Sequence, residues 1–337
     1  MMNSFKFFIL TLLLLVLFAV SLMLGAVRIP ISDVLVILSG TSDTNPVWHY
    51  IVTSVRLPQA LTAMFAGAAL SSSGLLLQTA FRNPLAGPSV FGINGGASMG
   101  VAIVMLVMGG SVSIGSMSLG GFMAVLMASF MGAMCVTIII FMLSNFLRGN
   151  VTLLIAGMMI GYLTSAVTTI TSSFAVAEGV KSYIVWGMGS FIGVSMQRMP
   201  LFVILVSLGL TASVFMVKPL NALLLGEYYA ENLGFNTKRL RNSILVITGV
   251  LTSVVTAFCG PVSFIGLAVP HISRLFIKTD NHRVLLPFTI LFGAVIALVC
   301  NVICSVPVAG GMLPLNSVTP LIGAPVIIYI TIKGMRE

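Results

Sequence analysis

The feature that most restricts this chain is a series of apolar runs, each long enough to cross a lipid bilayer. An α-helix rises about 1.5 Å per residue, so about 20 apolar residues span the hydrocarbon core. Charged residues make up only 7% of the 337 residues, whereas soluble domains carry roughly 25%. The sequence therefore predicts an all-α, polytopic membrane protein with a single transmembrane domain over residues 1–337.

About ten transmembrane helices can be assigned from these runs. The third and the eighth are short and interrupted by glycine or proline. The apolar run from Phe7 to Leu24 is longer than the core of an ordinary signal peptide, so we interpret it as the first span. The predicted spans are 6–27, 58–79, 95–109, 118–144, 152–175, 199–217, 243–260, 264–278, 284–304 and 317–334.

The basic residues predict the orientation. With the N-terminus inside, 12 of the 16 basic residues fall on the inner side, in agreement with the positive-inside rule. Only Arg28, Arg56, Lys181 and Arg198 fall outside. Both termini are therefore predicted to be cytoplasmic. The inner set is Lys6, Arg82, Arg148, Lys218, Lys238, Arg239, Arg241, Arg274, Lys278, Arg283, Lys333 and Arg336.

The acidic residues bear on the source of energy. None of the seven lies in the middle of a predicted span; they are Asp33, Asp43, Glu178, Glu227, Glu231, Asp280 and Glu337. Ion-driven transporters usually keep an ionisable residue or a coordinating cage at membrane depth. A phosphate-binding P-loop needs Gly-Lys followed by Ser or Thr, and no lysine here follows a glycine. The sequence therefore supports neither ion-driven transport nor nucleotide hydrolysis by this chain alone, and any ATPase that drives it must be a separate chain.

The longest charged interruption of the apolar sequence is the loop 218–242. Its leucines and tyrosines recur at helical spacing, and Gly226 and Gly234 can each end a short helix. The pattern predicts two short amphipathic helices joined by a glycine bend. Such a segment is either a solvated connector between two spans or a docking surface for a soluble partner.

The segment from Arg56 to Ala97 combines a helix rich in small residues with a broken backbone. Small residues let helices pack closely in lipid, and an irregular backbone at membrane depth needs protein or water around it. The segment is a helix-connecting turn or a bend that lines a pathway. Thr79-Ala80-Phe81 returns as Thr256-Ala257-Phe258, in the opposite predicted direction, which suggests an inverted repeat.

Other kinds of site receive no support from the sequence. The four cysteines lie in apolar runs without CxxC spacing, and the three histidines are scattered, so we predict no metal site and no catalytic residues. His271 is interpreted as structural. The net charge of +9 is spread over loops, without a basic face or interleaved aromatic residues, which argues against binding of nucleic acid.

The motifs, in their order along the chain, resemble the permease family of type II ABC importers that take up iron-siderophores, haem and cobalamin. The resemblance covers nearly the whole chain. It is carried by RLP at 56–58, GAALxxSG at 67–74, RNPLAGP at 82–88, GIxGGA at 92–97, LLIAG at 153–157, WGMGSF at 186–191, LNxLxLGExxAxxLG at 220–234, GPVSFIGLAVPHISR at 260–274, DNHR at 280–283 and LPLNSVTPLIGAP at 313–325.

This resemblance implies a fold of ten transmembrane helices in a bacterial cytoplasmic membrane, working as a homodimer or as a heterodimer with a paralogue. Two ATPase subunits, which carry the ATP and magnesium, would hold the loop 218–242, so the chain itself binds no cofactor. A periplasmic or lipid-anchored binding protein would deliver the metal-chelate or corrinoid cargo. The residues implied in ATPase coupling are Leu225, Gly226, Glu227, Ala230, Leu233 and Gly234.

The resemblance also implies a cytoplasmic gate and an outer docking site. The gate would consist of Asn83, Pro84 and Leu85, together with Asn150 and Val151. The implied docking cation is Arg56. Arg28, Lys181 and Arg198 are added by their location alone.

Two features depart from the family pattern on the outer side. Gln59 stands where the family commonly has a second arginine, and the segment 301–312 has no charge. Docking must therefore be electrostatically weaker or use other residues. The sequence does not distinguish among the cargoes, and it leaves two other classes to be tested: an ion-driven secondary transporter, and a membrane-embedded enzyme or structural subunit.

Overall fold

The computed structural model describes residues 2–40, 45–109, 111–114, 117–147, 149–307 and 311–334. Four charged residues counted above, Asp43, Arg148, Arg336 and Glu337, lie outside these ranges. The helices are α1 (Met2–Met23), α2 (Ile31–Leu38), α3 (Pro46–Tyr50), α4 (Leu57–Phe81), α5 (Ile93–Ala102), α6 (Phe122–Phe146), α7 (Asn150–Ser173), α8 (Ala177–Gly187), α9 (Met199–Phe215), α10 (Val217–Leu225), α11 (Glu227–Asn232), α12 (Thr237–Cys259), α13 (Ile265–Ile277), α14 (His282–Ser305) and α15 (Leu315–Gly334).

Each of the ten predicted spans coincides with a helix. Six described helices are long and apolar enough to cross a membrane: α1, α4 with its leading turns, α6, α7, α12 and α14. A seventh span is α9, at whose end the chain bends by 44° into α10. The remaining three, α5, α13 and α15, are shorter apolar helices. The prediction of an all-α polytopic membrane fold is thus confirmed.

Helix α4 forms the centre of the fold. In its most apolar stretch 83% of the residues are buried, whereas the figure for α1 is 22%. It packs against α9, α12, α13 and α14. Small side chains make this possible, because the backbone of α4 approaches α14 at Gly67 and Gly293, and α13 at Gly74 and Gly266. Helix α1, with its large exposed apolar side chains, lies at the edge.

A short antiparallel hairpin was not predicted. Strands β1 (Ser111–Ile114) and β2 (Met117–Gly120) pair between α5 and α6, so α6 begins at Phe122 rather than at residue 118. Serine and apolar residues alternate in both strands, which is the two-residue period of a strand. The apolar content of this segment was sufficient to extend the predicted span, although its period was wrong for a helix.

Helices α4 and α12 cross the molecule in opposite directions. At the end of α4, the Arg82 side chain reaches the Leu223 carbonyl of α10. Helix α12 starts beside the same loop and ends on the opposite face, where Ser190 N–H donates to the Cys259 carbonyl. Each is followed by an irregular segment and a short helix, α5 or α13. This arrangement agrees with the predicted inverted repeat.

Candidate coupling and gate region

The loop 218–242 forms the two predicted helices outside the spans, α10 and α11. Gly226 joins them at φ 128° and ψ 152°, a conformation that side-chain-bearing residues rarely adopt. Gly234 follows α11 at φ 87°. The two glycines therefore set the bends of the loop, as the sequence indicated.

An apolar surface is exposed on these two helices. Leu225 is 66% exposed, Tyr228 80% and Leu233 54%, and Leu224 and Tyr229 lie beside them. We call these five residues the coupling surface. A contiguous set of large exposed apolar side chains outside the membrane spans is typical of a protein interaction site.

Two of the predicted coupling residues differ in exposure. Glu227 is exposed, and its Oε1 accepts a hydrogen bond from Asn150 Nδ2 at 3.4 Å. Ala230 is fully buried, so the expectation that it contacts a partner is corrected. Its small side chain packs inward and lets α11 lie against the transmembrane domain, while the neighbouring positions face outward.

The first gate segment follows directly after α4. Arg82 adopts a left-handed conformation at φ 46°, which ends the helix and turns the chain. Asn83 Oδ1 then accepts the Leu85 N–H at 2.8 Å, and His271 Nε2 donates to the Pro84 carbonyl at 2.6 Å. Leu85 is left 49% exposed at the tip of the turn. The structural interpretation of His271 agrees with this contact.

The second gate pair lies on the same face of the molecule. Asn150 is the first residue of α7, and Val151 beside it is 65% exposed. Asn150 bonds to Glu227 of the coupling loop and accepts a hydrogen bond from Arg241 Nη1 at 3.3 Å. Both predicted gate segments are therefore in contact with, or next to, the loop that carries the coupling surface.

Several residues of this region had no role assigned from the sequence. Arg274 Nη1 donates to Gln78 Oε1 at 2.8 Å, and Arg274 Nε pairs with Asp280 Oδ1 at 3.5 Å. His282 lies fully buried between Thr79 and Asn221. The motif DNHR and Gln78 could have pointed to this cluster, since charged and amide residues are rare in so apolar a chain.

The N-terminus lies on the same face as the coupling loop. Lys6 Nζ donates to the Phe276 carbonyl at the end of α13 at 2.7 Å, and α13 leads to Asp280 and His282. On the opposite face, Asn316 N–H at the start of α15 donates to the Met188 carbonyl. The basic residues near the coupling loop thus share one face with the N-terminal end of α1.

The predicted outer docking residue Arg56 requires a correction. It is only 6% exposed, and its guanidinium donates to the carbonyls of Leu22 and Met23 at 2.8 Å and to that of Val27. Leu22 and Met23 are the last residues of α1, whose carbonyls lack partners within the helix, and Val27 follows shortly after its end. Arg56 therefore ties α1 to α4 instead of facing a partner protein.

The other predicted docking cations are accessible. Arg28 and Lys181 are exposed, and the guanidinium of Arg198 lies 4.1 Å from the centre of the Phe122 ring. Near Lys181 and Arg198, a cavity of about 810 Å³ opens between α8, the start of α6 and the end of α12. Cations and a cavity therefore lie together on the face opposite the coupling loop.

Gln59, which departs from the family pattern, points inward. Its Nε2 donates to Asn301 Oδ1 at 2.8 Å and lies 3.3 Å from Ser305 Oγ, and Asn301 Nδ2 donates to Ser21 Oγ at 2.8 Å. The amide links α4, α14 and α1 through uncharged groups. Of the segment 301–312, residues 308–310 lie outside the described ranges. Within those ranges, no cluster of three His, Cys, Asp or Glu residues could hold a metal ion.

Comparison with known proteins adds the family. The model of the FecCD transport family matches residues 13–333. The vitamin B12 import system permease protein BtuC of Salmonella paratyphi A (strain ATCC 9150 / SARB42) is 36% identical over 285 residues, which cover 85% of this chain and 84% of the relative. BtuC of Salmonella typhimurium (strain LT2) has the same identity and coverage.

A solved structure has a similar fold over almost the whole chain. It is described as an inward-facing conformation of a metal-chelate type ABC transporter. The TM-score is 0.83 at 27% sequence identity, over 97% of this chain and 98% of that one. With ten apolar helices in the described part of the chain and an exposed loop set against the C-terminal end of α4 and the N-terminal end of α7, the chain belongs to the FecCD transport family and is the membrane permease of an ABC importer.

Proposed function

We propose that the coupling surface binds a separate ATPase subunit, and that movement of this subunit opens and closes the gate formed by residues 83–85 and 150–151. The observation that carries this proposal is the placement of α10 and α11. Leu225 and Tyr228 are exposed on these helices, and the exposed Glu227 beside them accepts a hydrogen bond from the gate residue Asn150. ATP and magnesium are held by the ATPase, two copies of which serve one importer.

The face with the coupling loop would then lie in the cytoplasm. The N-terminus, Lys238, Arg239 and Arg241 lie on this face, and basic residues concentrate on the cytoplasmic side of membrane proteins. The chain would then lie in a bacterial cytoplasmic membrane with both termini inside. The opposite face would meet the binding protein, with Arg28, Lys181 and Arg198 as the cations that steer docking.

Helix α7 is proposed to face a second permease copy and the transport pathway. Its exposed side carries Tyr162, Ser165 and Thr169 one helical turn apart, at membrane depth. The exposed side of α6, in contrast, presents apolar residues such as Met131 and Ile138. Hydroxyl groups are better placed against a water-filled passage or a protein interface than against lipid. We therefore propose a homodimer with α7 near its axis.

The proposed cargo is a bulky complex of the corrinoid class. The relatives at 36% identity are vitamin B12 import permeases, which favours cobalamin. An iron chelate is the second candidate, since the solved structure is that of a metal-chelate type transporter. With no metal-binding cluster among the described residues, the permease would recognise either cargo by shape, and the bound metal would stay with its chelator.

The coupling role is tested by replacing two coupling-loop residues together. The variant Glu227→Ala/Gly234→Ala should assemble in the membrane but lose ATP-driven uptake, because Glu227 contacts the gate and Gly234 needs a positive φ. The matched control, Asp33→Ala/Gly187→Ala, changes the same residue classes on the opposite face. Uptake by the Glu227/Gly234 variant at the level of the control would contradict the coupling role.

The cargo is tested in proteoliposomes that contain the permease, its ATPase and its binding protein. Radiolabelled cyanocobalamin and a ferric hydroxamate siderophore are supplied in separate assays, with ATP inside the vesicles. We expect uptake of cyanocobalamin only. Uptake of the siderophore alone would favour the second candidate. Uptake driven by a proton or sodium gradient without ATP would contradict both.

A further inference from the structure

A buried imidazole connects the coupling loop to the two helices beneath it. His282, the first residue of α14, is fully buried. Its Nδ1 lies 2.9 Å from Asn221 Oδ1 on α10, and its Nε2 lies 2.9 Å from Thr79 Oγ1 near the end of α4. One side chain therefore holds three helices that are far apart in sequence.

The directions of these hydrogen bonds follow from one backbone group. The His282 N–H also points to Asn221 Oδ1 at 2.8 Å, and since an N–H can only donate, the amide oxygen must face it. Asn221 Nδ2 then donates to Asn281 Oδ1 at 2.9 Å. An acceptor oxygen opposite Nδ1 assigns the proton to Nδ1, so in the neutral ring Nε2 accepts from the Thr79 hydroxyl.

A second hydrogen bond connects α4 directly to α10. Arg82 Nη2 donates to the Leu223 carbonyl in the last turn of α10 at 2.8 Å. Arg82 directly precedes the gate residues Asn83 to Leu85. The end of α4 is thus bonded to α10 at two points, Thr79 through His282 and Arg82 directly, just before the chain enters the gate.

Such bonds transmit displacement in a way that apolar contacts do not. Apolar side chains can slide past one another, but a buried donor or acceptor that loses its partner is strongly disfavoured. Any shift of α10 must therefore carry His282 and Thr79 with it, or leave buried polar groups unpaired. We propose that His282, held between Asn221 and Thr79, is the positioning residue through which movement of α10 reaches the gate segment 83–85. This inference rests on the proposed coupling function.

The test measures the response of the gate to nucleotide, without any cargo. The full-length permease, with its four cysteines replaced by alanine, is assembled with its ATPase in lipid nanodiscs. Leu85→Cys serves as the reporter, and its rate of labelling by a soluble maleimide is measured without nucleotide and with ATP plus vanadate. Thr79→Val removes the hydroxyl at similar volume, and Thr79→Ser is its matched control. Asn221→Ala removes the other partner, which is only half-buried.

We expect the nucleotide-dependent change in labelling rate to shrink about fivefold or more in Thr79→Val and Asn221→Ala, a factor typical of coupling between sites. Thr79→Ser should keep the full response, and all complexes should still hydrolyse ATP. This relay of movement through His282 is overturned if both Thr79→Val and Asn221→Ala respond to nucleotide as the background chain does, even when Thr79→Val is less stable.

Two further outcomes are decisive. If Thr79→Val does not assemble, Asn221→Ala decides alone, because its side chain lies at the rim of the fold; a full response in that variant overturns the relay. If the background chain itself shows no response while the ATPase is bound, the proposed coupling function fails and the relay fails with it. A full response in Asn221→Ala would overturn the relay and leave the coupling function intact, so the two failures are distinguishable.

Discussion

The close contact between α4 and α13 should respond strongly to one added methyl group. A Cβ placed on Gly74 of α4 would lie 1.6 Å from the carbonyl oxygen of Gly266, whereas such contacts are essentially never shorter than 3.0 Å. In Gly74→Ala, α4 and α13 must therefore separate locally by about 1.4 Å. The obstacle is backbone rather than a flexible side chain, so no rotamer change relieves it.

The expected loss of stability follows from the contacts across this interface. Overpacking of a core costs about 1–3 kcal/mol, and a backbone clash places Gly74 near the upper end. The separation would also break the 3.1 Å bond from Gln78 Nε2 to the Leu267 carbonyl. That loss, about 1 kcal/mol, is offset by the higher helix propensity of alanine. The net destabilisation is about 3 kcal/mol, or about 4 °C in Tm for a chain of this size.

The assay is thermal unfolding of the detergent-purified permease, followed by the fluorescence of a thiol-reactive dye or by loss of the monodisperse peak. Gly187→Ala is the matched control, since a Cβ at Gly187 meets no atom within 4 Å. Its Tm should stay within about 1 °C of the unaltered chain. A Gly74→Ala variant with the same Tm as this control would refute the close approach of α4 and α13.

Three further predictions use the same permease. Arg56→Leu should lower the free energy of unfolding by about 3 kcal/mol, because the carbonyls of Leu22 and Val27 lose their donor, whereas Arg28→Ala should not change it; equal Tm values would disprove this link between α1 and α4. Gln59→Leu leaves Asn301 Oδ1 without its donor and should cost about 1–2 kcal/mol in the same assay, and an unchanged Tm would contradict the network. Gly226→Ala forces a strained backbone at φ 128° and should reduce co-purification of the ATPase about tenfold without lowering the yield of permease; undiminished co-purification would count against the bend.

The spans could be predicted because hydrophobicity is a local property. The residues of each apolar run are by themselves hydrophobic enough to enter the membrane, so segments such as 199–217 and 284–304 could be placed near their helices. The two helices of the coupling loop were equally local, since spacing and glycines lie within 25 residues of each other. The hairpin at 111–120 was missed because the apolar content of this segment was given more weight than its two-residue period, which is typical of strands.

The outer docking residues show where a local pattern is insufficient. Arg56 was assigned to the outer surface because the family resemblance implied a docking cation at this position. In the fold, the end of α1 offers its carbonyls at that position, and the guanidinium is buried against them. Gln59 likewise appeared as a missing charge, yet its amide pairs with Asn301, which lies 242 residues further along the chain.

By itself, the sequence determined that the chain is a multi-pass helical membrane protein, where its spans lie, and that a loop rich in exposed residues interrupts them. These properties depend on composition and on spacing within about one helix. Only the tertiary structure decided which polar side chains meet. Thr79 and His282 are 203 residues apart, and they become neighbours because small residues let α4 and α14 pack closely. Hydrogen bonds between distant helices depend on that packing, and no local pattern encodes it.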